Sequence, residues 1–257
     1  MASDTMVQLM SSSRFAGKVL VATGAGSGLG AASARRFAAE GGRVAVLDLD
    51  ASQAEAVASD LGDSVGLRCD VTDEQSVRDA VSAAHQRFGR IDCVMNAAGV
   101  FTASPIEELS LRDWNTMLAV HMTGTFLVCR QTIPLIRAAG GGSIVNFGSV
   151  TALIARANTA AYSAAKGGIV AFSRQLALEL GADRIRVNVI APGTVRSPMS
   201  DAAYGPPGTP GQKLPLSIQM RIAEPEEVAA PVCFLLSDEA SFLTGTVVVA
   251  DGGATAV

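Results

Sequence analysis

The feature that most constrains this chain is an alternation. Seven short runs rich in β-branched residues, at 18–23, 43–47, 65–69, 92–95, 142–147, 184–190 and 246–250, are separated by longer Ala-rich segments of helical period. Helices are expected at about 28–41, 51–60, 73–88, 111–138, 160–181 and 225–237. In 73–88, for example, Val77, Val81, Ala84 and Phe88 share one face while Glu74, Arg78, Asp79 and Arg87 can face water. The β-branched runs do not alternate with polar residues, so their strands should be covered on both faces, which is how parallel sheets read. The pattern predicts one α/β domain over 15–257, a Rossmann-type doubly wound parallel sheet of about seven strands with helices on both faces. Residues 1–14 are expected as a flexible extension. Residues 196–220 hold five prolines and three glycines, show no sustained period, and are expected as a substrate loop.

Composition narrows the class further. The chain is 49% hydrophobic and 17% charged, with a mean hydropathy of +0.33. Such a balance collapses into a core, which excludes general disorder and a collagen-like chain. Twenty basic residues stand against 24 acidic ones, and the pI is about 5.2, so nucleic-acid binding gains no support. A membrane span fails too: the longest charge-free helical candidate, 114–129, carries Asn115, Thr116, His121, Thr123, Gly124 and Thr125. The N-terminus has no basic start and no apolar core, so no signal peptide is expected. Cys69, Cys93, Cys129 and Cys233 are widely spaced in apolar segments and are expected as buried, reduced thiols of a cytoplasmic protein. His85 and His121 have no Cys or carboxylate cluster beside them, so no metal site is expected.

The first strand runs into Thr23-Gly24-Ala25-Gly26-Ser27-Gly28-Leu29-Gly30, after which a helix opens. Glycines suit a tight turn whose backbone must approach a pyrophosphate, and the helix start offers unpaired N–H groups to the phosphates. Asp48 ends the second strand, where a carboxylate can accept hydrogen bonds from ribose hydroxyls and repel a 2′-phosphate. Neither the turn nor the residues next to Asp48 in sequence include Arg or Lys. NAD(H) is therefore expected over NADP(H). Asp50 is expected to cap the helix at 51–60.

Together, Gly24-xxx-Gly28-x-Gly30, Asp70-Val71, Asn96-Ala97-Ala98-Gly99, Ser149, Tyr162-xxx-Lys166 and Pro192-Gly193 resemble the short-chain dehydrogenases/reductases in order and spacing, over about 15–253. The resemblance implies a nicotinamide cofactor held by Gly24, Ser27, Gly28, Leu29, Gly30, Asp48, Asp70, Val71, Asn96, Ala97, Gly99, Pro192, Gly193 and Val195, with Tyr162 and Lys166. Asp70 would contact the adenine ring, Asn96 to Gly99 would close a turn beside the cofactor, and Pro192-Gly193 would approach the nicotinamide.

Tyr162 and Lys166 are four apart and so share one helix face. An ammonium beside a phenol favours phenolate and lowers a pKa that is ordinarily about 10. The phenol can then exchange a proton with an alcohol or ketone as hydride moves. Ser149, 13 positions before Tyr162, can hydrogen-bond the substrate oxygen as charge develops. The resemblance implies Tyr162 as acid/base, Ser149 as substrate-oxygen donor, and Lys166 as tuner of the phenol and ribose contact. One position departs from the family: His121 stands where an asparagine is usual. Imidazole can donate and accept and titrates near neutrality, so His121 is expected to replace that asparagine in a proton relay.

Val100, Phe101, Val150, Thr151, Leu153, Asn158, Thr159, Val195, Met199, Tyr204 and Leu214 are expected around the substrate, with charge only on Arg196, Asp201 and Lys213 of the loop. A moderately apolar secondary alcohol or ketone is the substrate expected. A 3-oxoacyl-thioester reductase, a sugar or polyol dehydrogenase, and an NAD-binding regulator without turnover are the alternatives. Finally, no Asp, Glu, Lys or Arg lies between Asp113 and Arg130, or between Lys166 and Arg174. Helices without a polar face are buried, which points to packing against other copies of the chain; the resemblance implies that these helices pair into dimers and tetramers, a homotetramer being expected.

Overall fold

The structure is a computed structural model that describes residues 14–205 and 217–256. Expectations for 1–13 and for Lys213 and Leu214 lie outside the described residues. Seven parallel strands form one sheet: β1 Val19–Thr23, β2 Arg43–Asp48, β3 Val65–Arg68, β4 Cys93–Asn96, β5 Gly142–Phe147, β6 Ile185–Pro192 and β7 Val247–Ala250. Their order is β3-β2-β1-β4-β5-β6-β7, and every pairing is parallel. Each expected strand is present within two residues of its predicted bounds.

Helices α1 Gly28–Ala39, α2 Ala51–Ser59, α3 Glu74–Phe88, α4 Leu111–Leu118, α5 Gly124–Ala138, α6 Ala160–Leu180, α7 Pro198–Tyr204 and α8 Pro225–Leu236 occur in that chain order. Successive β1 residues feed opposite apolar layers, because side chains of a strand alternate faces. Leu20 and Ala22 join Phe37 of α1 and Val232 of α8 in one layer. Val19 and Val21 join Val77 of α3, Val128 of α5 and Leu176 of α6 in the other. All five residues of β1 and all four of β4 are buried. The four cysteines are free and buried, and burial pushes each thiol up to about 12. They are unreactive packing residues.

Local signals decide where elements start. Asp50 caps α2 by accepting from the Ser52 and Gln53 N–H groups, at 2.9 and 3.3 Å. Arg14, placed by sequence in a flexible extension, instead pairs with Glu40 at 2.5 Å and Glu239 at 3.2 Å. The expected continuous helix 111–138 is also corrected. Between α4 and α5 the backbone widens into one π-helical turn, Ala119–Thr123. Such a turn holds an extra residue and rotates the downstream helix by about 100°; here it turns His121 inward, leaving it 1% exposed.

The loop expected at 196–220 is corrected over its first part, where Pro198–Tyr204 forms α7. Ser197 caps α7, its hydroxyl accepting from the Ser200 N–H while the Ser200 hydroxyl accepts from the Ser197 N–H. Pro198 sits at the first helical position, where its missing N–H costs nothing. The chain reverses direction of winding between β1 and β4. Ligands of open α/β sheets bind beyond the carboxyl ends of the strands at such a point.

Candidate active site

Those carboxyl ends open into a cleft. Its walls bring together Leu29 of the glycine-rich turn, Ala97 and Gly99 after β4, Ser149 after β5, Tyr162 and Lys166 on α6, and Pro192, Gly193 and Val195 after β6. His121 lines it too. The remaining turn residues, Gly24, Ser27, Gly28 and Gly30, lie beside the cleft rather than on its wall.

The turn is as tight as its glycines require. A Cβ on Gly24, whose φ is +60°, would lie 2.5 Å from the Ala98 Cα, and one on Gly30 would lie 2.1 Å from the Gly24 carbonyl oxygen. Ser27 starts α1 with no side-chain hydrogen bond to the helix, so the first amides remain available to an anion. Asp48 Oδ2 accepts from the Gly26 N–H at 2.9 Å and Oδ1 from the Asp50 N–H at 3.1 Å. This cradle fits a dinucleotide: amides for phosphate, a fixed carboxylate for ribose. One neighbour was not visible from local sequence. Arg68 of β3 is in register with Asp48, yet the two form no ion pair.

Other expected cofactor residues are more committed to the scaffold. Asp70 Oδ1 accepts from the Thr72 N–H and hydroxyl, at 2.9 and 2.7 Å, and these bonds hold its carboxyl below the usual range. Val71 is buried against Gly124, where an added Cβ would sit 2.8 Å from Val71 Cγ2. Asn96 Nδ2 donates to Asn146 Oδ1 at 2.8 Å, Asn146 Nδ2 to Ser173 Oγ at 2.8 Å, and Ser173 Oγ to the Ile169 carbonyl at 2.7 Å. This buried chain fixes α6, and with it Tyr162 and Lys166, to the centre of the sheet.

At the reacting end, Ser149 caps a single 3₁₀ turn, Val150–Ala152, its Oγ accepting from the Thr151 N–H at 3.2 Å. The Ser149 O–H is thus left to donate. Lys166 is 4% exposed, and its Nζ donates to the Phe147 carbonyl at 2.7 Å. The ammonium lies 5.5 Å from the centre of the Tyr162 ring. Burial brings Lys166 down from 10.5 to about 7. Phe101 and His121 meet the Tyr162 ring edge-on, at 5.1 and 5.3 Å.

His121 corrects the expectation of an imidazole that titrates near neutrality. Burial, then the Lys166 charge, push it down to about 3. Its Nε2 lies 2.8 Å from the Val100 carbonyl oxygen, and its Nδ1 is buried with no partner among the described residues. Gly99 makes room: a Cβ there would stand 2.7 Å from His121 Cε1.

Of the residues expected around the substrate, Phe101, Val150, Thr151, Thr159, Val195 and Met199 line the cleft. Val100 does not, and Leu153 and Asn158 line a neighbouring groove with Ser104 to Glu107. The Tyr204 side chain lies outside the described residues. Sequence reasoning missed Thr194, Ser197, Ser200 and, above all, Arg156. The cleft is therefore less apolar than expected and carries a permanent charge.

A family profile described as enoyl-(acyl carrier protein) reductase matches residues 24–255. D-threitol dehydrogenase of Mycolicibacterium smegmatis is 44% identical over 248 residues, covering 94% of each chain. The chain belongs to the short-chain dehydrogenase/reductase family. Meso-2,3-butanediol dehydrogenase of Serratia marcescens is 39% identical over 246 residues, covering 95% of this chain and 96% of its own. The crystal structure of levodione reductase superposes with a TM-score of 0.90 at 34% identity, covering 95% of this chain and 99% of that one. The relatives named are dehydrogenases and a reductase, so the family places this chain among the oxidoreductases acting on CH–OH groups. No described helix is long and apolar enough to cross a membrane, and no group of His, Cys, Asp or Glu among the described residues could hold a metal ion.

Proposed function

We propose that this short-chain dehydrogenase/reductase interconverts a moderately apolar secondary alcohol and its ketone using NAD(H), with Tyr162 as acid and base. One observation carries the reading: Ser149, Tyr162 and Lys166 line the same cleft as Leu29 of the glycine-rich turn. NAD, when bound, supplies the hydride acceptor. The amides at the start of α1 would hold its pyrophosphate and Asp48 its adenosine ribose, with Ala97, Gly99, Pro192, Gly193 and Val195 along its path. Ser149 donates to the substrate oxygen. Tyr162, as phenolate, takes the alcohol proton and becomes the phenol; the neighbouring Lys166, as ammonium, stabilises the phenolate before that transfer and, in ketone reduction, as it forms. Ring contacts from Phe101 and His121 fix the phenol's orientation. His121 joins the proton relay as a neutral imidazole, through hydrogen bonding at Nδ1 rather than by titration.

The proposal extends to a cytoplasmic homotetramer. Support comes from the free thiols and from Leu111, Phe126 and Leu178, which are exposed on α4, α5 and α6. A polyol substrate is the second reading, favoured by the D-threitol dehydrogenase relative and by the hydroxyls of Thr151, Thr159 and Thr194 in the cleft. Fluorescence titration with NADH and NADPH, followed by a panel of secondary alcohols and polyols with NAD, tests both. Tighter NADH binding and turnover of secondary alcohols support the proposal; preference for NADPH, or no turnover across the panel, refutes it.

A further inference from the structure

Arg156 lies in the irregular segment between the turn Val150–Ala152 and α6, six residues before Tyr162. Its backbone is fixed. The Thr159 hydroxyl donates to the Arg156 carbonyl at 2.9 Å, and Thr159 is itself buried. Two residues on, Asn158 holds a left-handed φ of 64°, and its carbonyl accepts from the Ser104 N–H at 2.9 Å. The Arg156 side chain is half-buried and lines the catalytic cleft together with Ser149, Thr151, Tyr162 and Thr194.

Within that cleft it has no counter-charge. Lys166 and Arg156 are the charged side chains of the described lining, and no carboxylate is among it. Lys166 is committed to the Phe147 carbonyl at the base. Arg156 also borders the neighbouring groove that holds Glu107, which is exposed and forms no ion pair with it, and the adjoining cavity that holds Glu227 and Asp251, where both acids are already engaged. Glu227 accepts from Arg221 at 2.6 Å and from the Glu224 N–H at 2.9 Å. Asp251 accepts from the Gly253 and Thr255 N–H groups, each at 2.8 Å. Segment 206–216 contains no Asp or Glu in its sequence. Among the described residues, the Arg156 guanidinium has no ion-pair partner.

A partly desolvated guanidinium without a partner is unfavourable by itself and favourable opposite a planar anion, which it can bind with two parallel N–H bonds. We infer that Arg156 is a specificity residue that binds a carboxylate carried by the substrate away from its carbinol carbon. The preferred substrate class is then a secondary alcohol with an apolar skeleton and a terminal carboxylate. This deepens the proposed function and rests on it: Ser149 and Tyr162 hold the reacting oxygen, and Arg156 holds the far end.

The test compares hydroxy acids with their primary amides, which keep size and shape but remove the charge and replace one acceptor oxygen with a donor. Three pairs vary the separation between carbinol and carboxylate: 3-hydroxybutyrate, 4-hydroxypentanoate and 4-hydroxycyclohexanecarboxylate, each beside its amide. For at least one pair the native enzyme should favour the acid by about tenfold or more in kcat/KM, as loss of a charged hydrogen bond implies. Arg156→Gln should abolish that preference by raising KM for the acid, with kcat and the amide's constants little changed, and Arg156→Lys should restore part of it. Binding without turnover gives a second readout. Cyclohexanecarboxylate should raise the melting temperature of the native enzyme with NADH, and fail to do so in Arg156→Gln. Oxidation of neutral alcohols with no preference for any acid would overturn the inference and leave the proposed function standing. An equal loss on acid and amide in Arg156→Gln would make the residue merely structural. Absence of all turnover would remove the proposed function, and the inference with it.

Discussion

Burying the Lys166 amine should cost the free enzyme stability, so replacing it with methionine should make the protein more stable while destroying activity. The fall from 10.5 to about 7 corresponds to roughly 5 kcal/mol at about 1.4 kcal/mol per pH unit. Below about pH 7 both the folded and unfolded chains carry the proton, and the full cost of a buried ammonium is borne. Between about 7 and 10.5 the folded chain sheds its proton while the unfolded chain keeps it, so the cost shrinks as pH rises. Above that window it is gone. Lys166→Met also loses the 2.7 Å bond to the Phe147 carbonyl, worth about 1 kcal/mol. The net expectation is a gain of about 2–4 kcal/mol at pH 6–7, fading to near zero or slightly negative by about pH 10. Urea denaturation of the cofactor-free native and variant proteins across this range measures it directly. A variant less stable than the native protein at pH 6–7, or a difference that does not shrink with pH, would refute the reasoning.

Three further outcomes concern the cofactor cradle, the relay and the assembly. Asp48→Ser should weaken NADH binding by about tenfold or more, since a charged hydrogen-bonding partner is lost, and should improve NADPH binding because Arg68 stands in register beside it; fluorescence titration reads both. His121→Asn should keep most turnover and His121→Ala should lose about tenfold in kcat. Because His121 sits near 3, neither change should move the pH profile near neutrality through imidazole titration, and unchanged turnover in both variants would exclude the relay. Light scattering at micromolar concentration should give a tetramer, and a monomer would contradict the oligomer reading.

Much of the fold was legible because its sheet is covered on both faces. That condition writes unbroken β-branched runs such as those of β1 and β5 into the chain, and the intervening helices carry ordinary caps such as Asp50. The reacting group was legible for a related reason: Tyr162 and Lys166 lie one turn apart on a regular helix, where spacing alone sets the face. Irregular backbone hid the rest. A single extra residue in the π turn at Ala119–Thr123 leaves hydropathy unchanged yet decides that His121 points inward. Arg156 belongs to a segment with no period, so its aim into the cleft depends on the hydroxyl of Thr159 and the left-handed Asn158. Arg68 became a neighbour of Asp48 through strand register, a long-range property. The helix α7 was a different case: Ser197, Pro198 and Ser200 carried its start signal, but the surrounding prolines and glycines obscured it.

The central claim is that Tyr162 exchanges the substrate proton while NAD accepts hydride. Single-turnover absorbance of reduced nicotinamide, for a secondary alcohol with the native enzyme and with Tyr162→Phe, tests it most directly. The account predicts rapid NADH formation in the native enzyme and a loss of at least about a hundredfold in the variant, with NADH affinity retained. Undiminished hydride transfer by Tyr162→Phe would contradict it.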